Sequence, residues 1–343
     1  MKAIKFGNHL AAAMLASSAL IAGSATAVNA AEVVIASYGG SFQDAQSAAF
    51  FEPYAEASGV TVTGTTGTGY AKVKAMVESG NVIWDVISAD GAAYESEVKE
   101  GLLEPIDYSV VEAEGIPEDL RKEYGVGYIK FSQNLAWDKD AFPDGLTPEQ
   151  FFDPEVKARR VMLGLPYYNL EFALMADGVA AEDLYPLDVE RGLAVIDRIK
   201  DQLVGFKSSS DIQAFVQQGE VDAALGPNGR LNNAIEAGAN WAYGWNGSVV
   251  AVEYWSVVKG APHAEEAMKF INFAVQPEQQ AELTRQIPYG PTNIDALDLL
   301  DPALAETLPS YPDNAELGVV LDSKWWNANL ETVKERWDEY VLQ

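Results

Sequence analysis

Glu253 interrupts an otherwise apolar run from Val249 to Val258, where two-residue alternation puts it on one strand face with Ala251 and Trp255. A carboxylate in a core strand needs a partner, because an unpaired buried charge is strongly destabilising. Two partners satisfy the chemistry: a neighbouring Lys or Arg, or the ammonium of a bound solute with aromatic side chains around it. Arg230 asks the complementary question. It follows Pro227, Asn228 and Gly229 at a strand end, and its planar fork suits a bidentate carboxylate. It either balances acids on its own surface, such as Glu236, or faces a ligand. If Arg230 and Glu253 line one cleft, the preferred ligand carries both a carboxylate and an amine.

The elements that would position these groups alternate between strand and helix. Glu32–Ser37 is β-rich and breaks at Tyr38, Gly39 and Gly40. A helix follows from Asp44 toward Ala57, bent near Pro53 and stopped by Gly59. Val60–Thr65 reads as a strand, Ala71–Glu78 as a helix and Asp85–Ser88 as a strand, with Asp90 placed to cap the next helix. After an extended stretch from Phe131 to Asp138 the pattern restarts: strand Val161–Leu165, a helix from Asn169, a long helix Val189–Gln202, and strand Asp222–Leu225. Helices follow at Ala264–Val275 and from Pro277, and the chain closes on a stripe of Trp326, Leu330, Val333, Trp337 and Val341. Such alternation predicts a mostly parallel α/β sheet.

In open α/β sheets, ligands sit beyond the carboxyl ends of strands. Those ends carry Ser37, Tyr38 and Ser41; Ser88 and Asp90; Tyr167, Tyr168, Asn169 and Glu171; Asn228 and Arg230; and, in a later loop, Tyr289. They supply aromatic walls and hydrogen-bonding groups without a nucleophile–base set. Each has a plainer reading: Asp90 as a helix cap alone, the tyrosines as surface cover, Trp326 as core. The Thr65–Gly69 stretch lacks the lysine of a phosphate loop.

Composition limits the compartment and the partners. Lys2 and Lys5 precede an apolar stretch from Leu10 to Ile21, then small residues to Ala30, the order of a cleavable export signal over residues 1–30. No cysteine is present, which excludes disulfides, thiolate nucleophiles and a lipid anchor on cysteine. The formal net charge of −28 repels nucleic acid and anionic lipid. A periplasmic monomer without a cofactor is the expectation.

The chain resembles the solute-binding proteins of ABC importers, specifically the spermidine/putrescine-binding family. The resemblance is carried by Ala36–Gly40, Trp84–Ser88, Gly219–Asp222, and most specifically Ala267–Phe273 with Pro277, Glu278 and Pro288–Asn293. It implies a two-lobed α/β periplasmic-binding-protein fold of type II, with a hinge, a ligand cleft between the lobes and a membrane permease as partner. One lobe would comprise residues 31–133 and 252–310, the other 134–251 and 311–343, with hinge crossings near Gln133–Trp137 and Glu253–Val257. It places Glu253 where the family grips an ammonium, and Ser37, Tyr38, Ser88 and Tyr289 at binding positions. The chain departs from that family in having Pro227 and Ala251 where tryptophans are common. It also has Tyr167, Tyr168 and Asn169 where acids hold the far end of a polyamine, with only Glu171 nearby. A small amine-bearing solute, either a polyamine or an amino-acid-derived zwitterion, is the expected ligand. Two rivals are an iron(III) carrier using Tyr167 and Tyr168, and an enzyme on the same fold.

Overall fold

The computed structural model describes residues 31–342, so the export signal read from residues 1–30 lies outside the described residues. The strands are β1 (Glu32–Ser37), β2 (Thr61–Thr66), β3 (Val86–Asp90), β4 (Leu103–Glu104), β5 (Val126–Asp138), β6 (Arg160–Leu163), β7 (Leu203–Lys207), β8 (Ala223–Pro227), β9 (Trp241–Val258), β10 (Gly290–Pro291) and β11 (Val319–Val320). Their main order across one sheet is β2-β1-β3-β9-β5-β8-β6-β7. β1 to β3 form one parallel block and β6 to β8 another.

Between the blocks stand β5 and β9, antiparallel to each other and to their neighbours β8 and β3. The sheet is therefore mixed rather than mostly parallel. Chain direction explains the difference: β5 carries the chain out of the first block and β9 brings it back, so the two must oppose. Their ladder is irregular between Gly127 and Ile129 and, more widely, between Gln133 and Leu135. Gln133 pairs with Val249 but Leu135 pairs with Gly244, which leaves Trp245–Ser248 outside the register. Asn134 fills the gap by donating from Nδ2 to the Gly244 carbonyl at 2.8 Å. The segment Glu253–Val257, one of the expected hinge crossings, pairs with β3 on one side and β5 on the other.

Local departures have local causes. The first helix begins at Gly40 rather than Asp44 and passes through a π turn, Ser47–Phe51, directly before Pro53. Pro53 lacks the N–H that would continue the regular ladder. The expected long helix Val189–Gln202 ends at Asp197, and β7 follows a short 3-10 turn. β7 is an edge strand of mostly half-buried residues, so its sequence lacks a strong apolar run. In the closing helix Ser323–Val341, Trp326, Val333 and Trp337 are buried as expected, but Tyr340 takes the core position and Val341 is exposed.

Candidate functional site

A cavity of about 90 Å³ lies at the carboxyl ends of the strands, between the two parallel blocks. Tyr38, Phe42, Asp90 and Tyr289 wall it from one side, Leu163, Leu165, Tyr168 and Arg230 from the other, and Ile129, Phe131, Gln133 and Glu253 from the long strands. Phe131 lies 6.0 Å from Tyr168 and 5.9 Å from Tyr289 between ring centroids, which makes an aromatic collar.

Glu253 on β9 sits between Asp90 of β3 and Ile129 of β5. Its Oε2 accepts from Ser88 Oγ at 3.0 Å, and no Lys or Arg forms an ion pair with it among the described residues. Burial pushes the Glu253 carboxyl well above the ordinary range, and the nearby Asp90 carboxylate pushes it further. Asp90 caps the helix Gly91–Lys99, its Oδ1 accepting from the Ala92 and Ala93 amides at 3.0 Å. Its Oδ2 accepts from the Tyr167 hydroxyl at 3.0 Å. Burial raises the Asp90 carboxyl, while the Ala93 and Ala92 amides and Tyr167 oppose the shift. Asp90 is thus both a cap and a cavity wall.

Arg230 comes from the second block and reaches the first, Nη2 donating to the Gly39 carbonyl at 2.8 Å. Gly40, at φ 58°, makes the approach possible, since a Cβ there would lie 2.8 Å from Nη1. Arg230 is 2 % exposed, and its Nη1 has no hydrogen-bond partner. Burial lowers its pKa, opposed by the fields of Tyr289, Asp44 and Glu253. Two further buried polar atoms on the cavity wall are also unpartnered: Gln133 Oε1 and the Tyr168 hydroxyl. Buried polar groups are normally hydrogen-bonded. Three such orphans line one cavity, so its wall carries unsatisfied donors and acceptors. Tyr168 also has φ 71°, the one non-glycine in the left-handed region among the described residues. Asn169 holds it there by donating from Nδ2 to the Leu163 and Leu165 carbonyls.

The remaining expected residues stand behind the wall. Ser37 is fully buried at the end of β1, where its carbonyl accepts from the Gly67 amide. Ser88 links Glu253 to the Tyr128 hydroxyl, 2.7 Å away. Tyr167 packs at 5.0 Å from Tyr168 and 5.5 Å from Trp326 and reaches the site only through Asp90. Glu171 does not enter the cavity; its Oε1 accepts from Trp326 Nε1 and the Tyr185 hydroxyl at 2.6 and 2.8 Å. Burial raises the hydroxyls of both Tyr167 and Tyr168, and Tyr167 is already committed to Asp90, an arrangement that disfavours paired phenolates on a metal. Sequence reading missed Phe42, Phe131 and Gln133 on the wall. Phe42 stands four residues after Tyr38, and Phe131 and Gln133 share a face of an extended run, which is the signal that was available.

The geometry is that of a closed solute-binding cleft, and the comparisons agree. Residues 49–315 match the model of the bacterial extracellular solute-binding protein family, and the chain belongs to that family. The fold is two-lobed, and the protein is the solute-binding component of an ABC transporter. A structure of AgtB from Agrobacterium tumefaciens R10 in complex with agropinic acid is 68 % identical, with a TM-score of 0.90, covering 91 % of this chain and 99 % of that one. The gamma-aminobutyric acid-binding protein of Pseudomonas aeruginosa is 33 % identical over 91 % of each chain. The spermidine/putrescine-binding periplasmic protein of Escherichia coli is 23 % identical over 80 % of this chain and 82 % of its own length. No helix among the described residues is long and apolar enough to cross a membrane.

Proposed function

We propose that the protein captures a carboxylate-bearing amino-acid derivative and delivers it to its permease, with agropinic acid the first candidate and gamma-aminobutyric acid the second. The observation that carries this reading is the buried, unpartnered Nη1 of Arg230 on a cavity that also holds Glu253. The carboxylate would lie on Arg230, with the ligand's nitrogen or hydroxyl groups toward Glu253 and Asp90. The relative bound to agropinic acid supports the acidic end, and the gamma-aminobutyric acid relative supports an acid paired with an amine. A pure polyamine would meet Arg230 unshielded and would lack acids at its far end.

The protein acts as a carrier rather than a catalyst, in the periplasm after removal of residues 1–30, and as a monomer. Ser37, Tyr38, Ser88, Asp90, Tyr167, Tyr168, Arg230, Glu253 and Tyr289 form the ligand site, with Ser37, Ser88 and Tyr167 acting from behind the wall. The lobes divide at the irregular β5–β9 crossing. Titration calorimetry with agropinic acid, gamma-aminobutyric acid and putrescine tests the ligand, and the expected order of affinity is as written. Tightest binding of putrescine, unharmed by Arg230→Ala, would restore the plain polyamine carrier.

A further inference from the structure

A second cavity, about 630 Å³, lies on the opposite face of β9. Glu253 faces the solute cleft, whereas Val252 and Tyr254 on either side of it line this rear space. Its size falls in the range of small-molecule sites. Its charge is contrary to the rest of the molecule. Acids outnumber Lys and Arg by 51 to 23 in the chain, yet here Lys122, Lys130 and Lys324 gather with Asp119 as the one acid. The ion pairs among the described residues all use other bases.

Two helix starts converge on the same space. Gly91 opens the helix Gly91–Lys99 and Ser323 opens Ser323–Val341, and both line the cavity. A Cβ on Gly91 would sit 3.4 Å from Ser323 Oγ, so the two ends nearly touch. Both starts are already capped, Asp90 accepting from the Ala92 and Ala93 amides and Asp322 from the Lys324 and Trp325 amides, so they frame the cavity without offering it free donors. The attraction for an anion comes from Lys122, Lys130 and Lys324, none of which forms an ion pair among the described residues and all of which line a cavity of ligand size.

We infer that this rear cavity binds a small polycarboxylate. Because Asp90 and Gly91 are adjacent and face the solute cleft and the rear cavity respectively, an anion there acts on the same strand end that holds the solute.

Citrate and inorganic phosphate, titrated calorimetrically into the purified protein at matched ionic strength, test the inference. Citrate should bind saturably with one-to-one stoichiometry. Lys130→Gln combined with Lys324→Gln should weaken it at least tenfold, and Lys122→Gln alone measurably. Arg230→Ala should leave it unchanged, because Arg230 belongs to the other cavity. Phosphate, which fills less of the space, should bind at least tenfold more weakly. Absence of saturable citrate binding, its loss in Arg230→Ala, indifference to all lysine changes, or phosphate binding as tight as citrate would each overturn the assignment. Circular dichroism of the lysine variants checks that they fold, and Lys122→Gln carries the test if the double variant does not.

Discussion

Asp90 and Glu253 stand directly opposite each other across the β3–β9 ladder, both buried and both facing the same cavity. Two carboxylates this close resist ionising together, and their titration belongs to the pair rather than to either residue. A cation placed between them removes the conflict. The site therefore stores an electrostatic demand that a ligand amine answers.

That demand gives the first prediction. Burial and the nearby Asp90 push the Glu253 carboxyl well above the ordinary carboxylate range, so an ammonium ligand favours release of its proton. Affinity for gamma-aminobutyric acid should rise with pH until Glu253 ionises unaided, and calorimetry in buffers of differing ionisation enthalpy should show proton release. Glu253→Gln should weaken that ligand by about 1.5–3 kcal/mol, the range for hydrogen bonds to charged groups. Its melting temperature should not fall, since no protein cation depends on the carboxylate. Wild-type affinity in the variant would remove Glu253 from the site.

Arg230 gives the second. Arg230→Lys keeps the charge but loses the fork, and a lysine would have to satisfy both the Gly39 carbonyl and the ligand. Agropinic acid and gamma-aminobutyric acid should both weaken at least tenfold in Arg230→Lys and further in Arg230→Ala, while putrescine should bind no worse. Gly40→Ala should imitate the defect, because its Cβ would collide with Nη1. Unaltered ligand binding in Gly40→Ala would mean that the guanidinium does not need its present position.

The anchors of this site were legible in sequence because charge is conspicuous in apolar surroundings. Glu253 broke a strand, Arg230 followed a strand end, and Asp90 stood before a helix. Phe131 and Gln133 were not, because a residue on a crossing strand announces a core, and only the neighbouring strands show which face is cleft. The sheet was read as mostly parallel for a related reason. Periodicity identifies β5 and β9 as extended, but their opposed directions follow from the path of the chain between two blocks. Ser37 and Ser88 were expected at the site from their strand ends and from a resemblance, and their place behind the wall depends on packing that spacing does not encode.

A third prediction concerns stability. Glu171 is fully buried, and burial raises its pKa to about 7 from an ordinary 4.5, despite hydrogen bonds from Trp326 and Tyr185. Oε2 has no partner, so the proton belongs there. The folded state holds this proton more tightly than the unfolded chain. Stability from this group is therefore full below about pH 4.5 and is lost as pH rises toward 7, by on the order of 3 kcal/mol. Melting curves from pH 4.5 to 8 should fall less steeply for Glu171→Gln than for the wild type. Parallel curves would show that Glu171 is not the titrating group.

The last prediction concerns motion. Hydrogen bonds that join the two sides of the cleft include Arg230 to Gly39, Tyr167 to Asp90, Ser41 to Gln213 at 2.7 Å and Asn228 to the Pro288 carbonyl at 2.7 Å. With these made, the cavity is only about 90 Å³ and its polar walls are buried, so a solute enters only if the blocks part. Of the two irregularities in the ladder, the wider one offers a place to turn. At Asn134 a side-chain amide replaces a backbone pair, and Trp245–Ser248 lies outside the register, with Gly247 at φ 72°. Rotation there breaks few backbone hydrogen bonds and leaves both parallel blocks intact, as hinge closure requires. Small-angle scattering should show compaction when saturating ligand is added to the ligand-free protein. Gly247→Val, strained in the left-handed region, should alter the ligand-free dimensions, while a valine at the exposed Gly80 should not, despite its similar φ of 67°. An unchanged radius at saturation would count against a hinged cleft, and equal effects of the two valines would move the hinge away from this crossing.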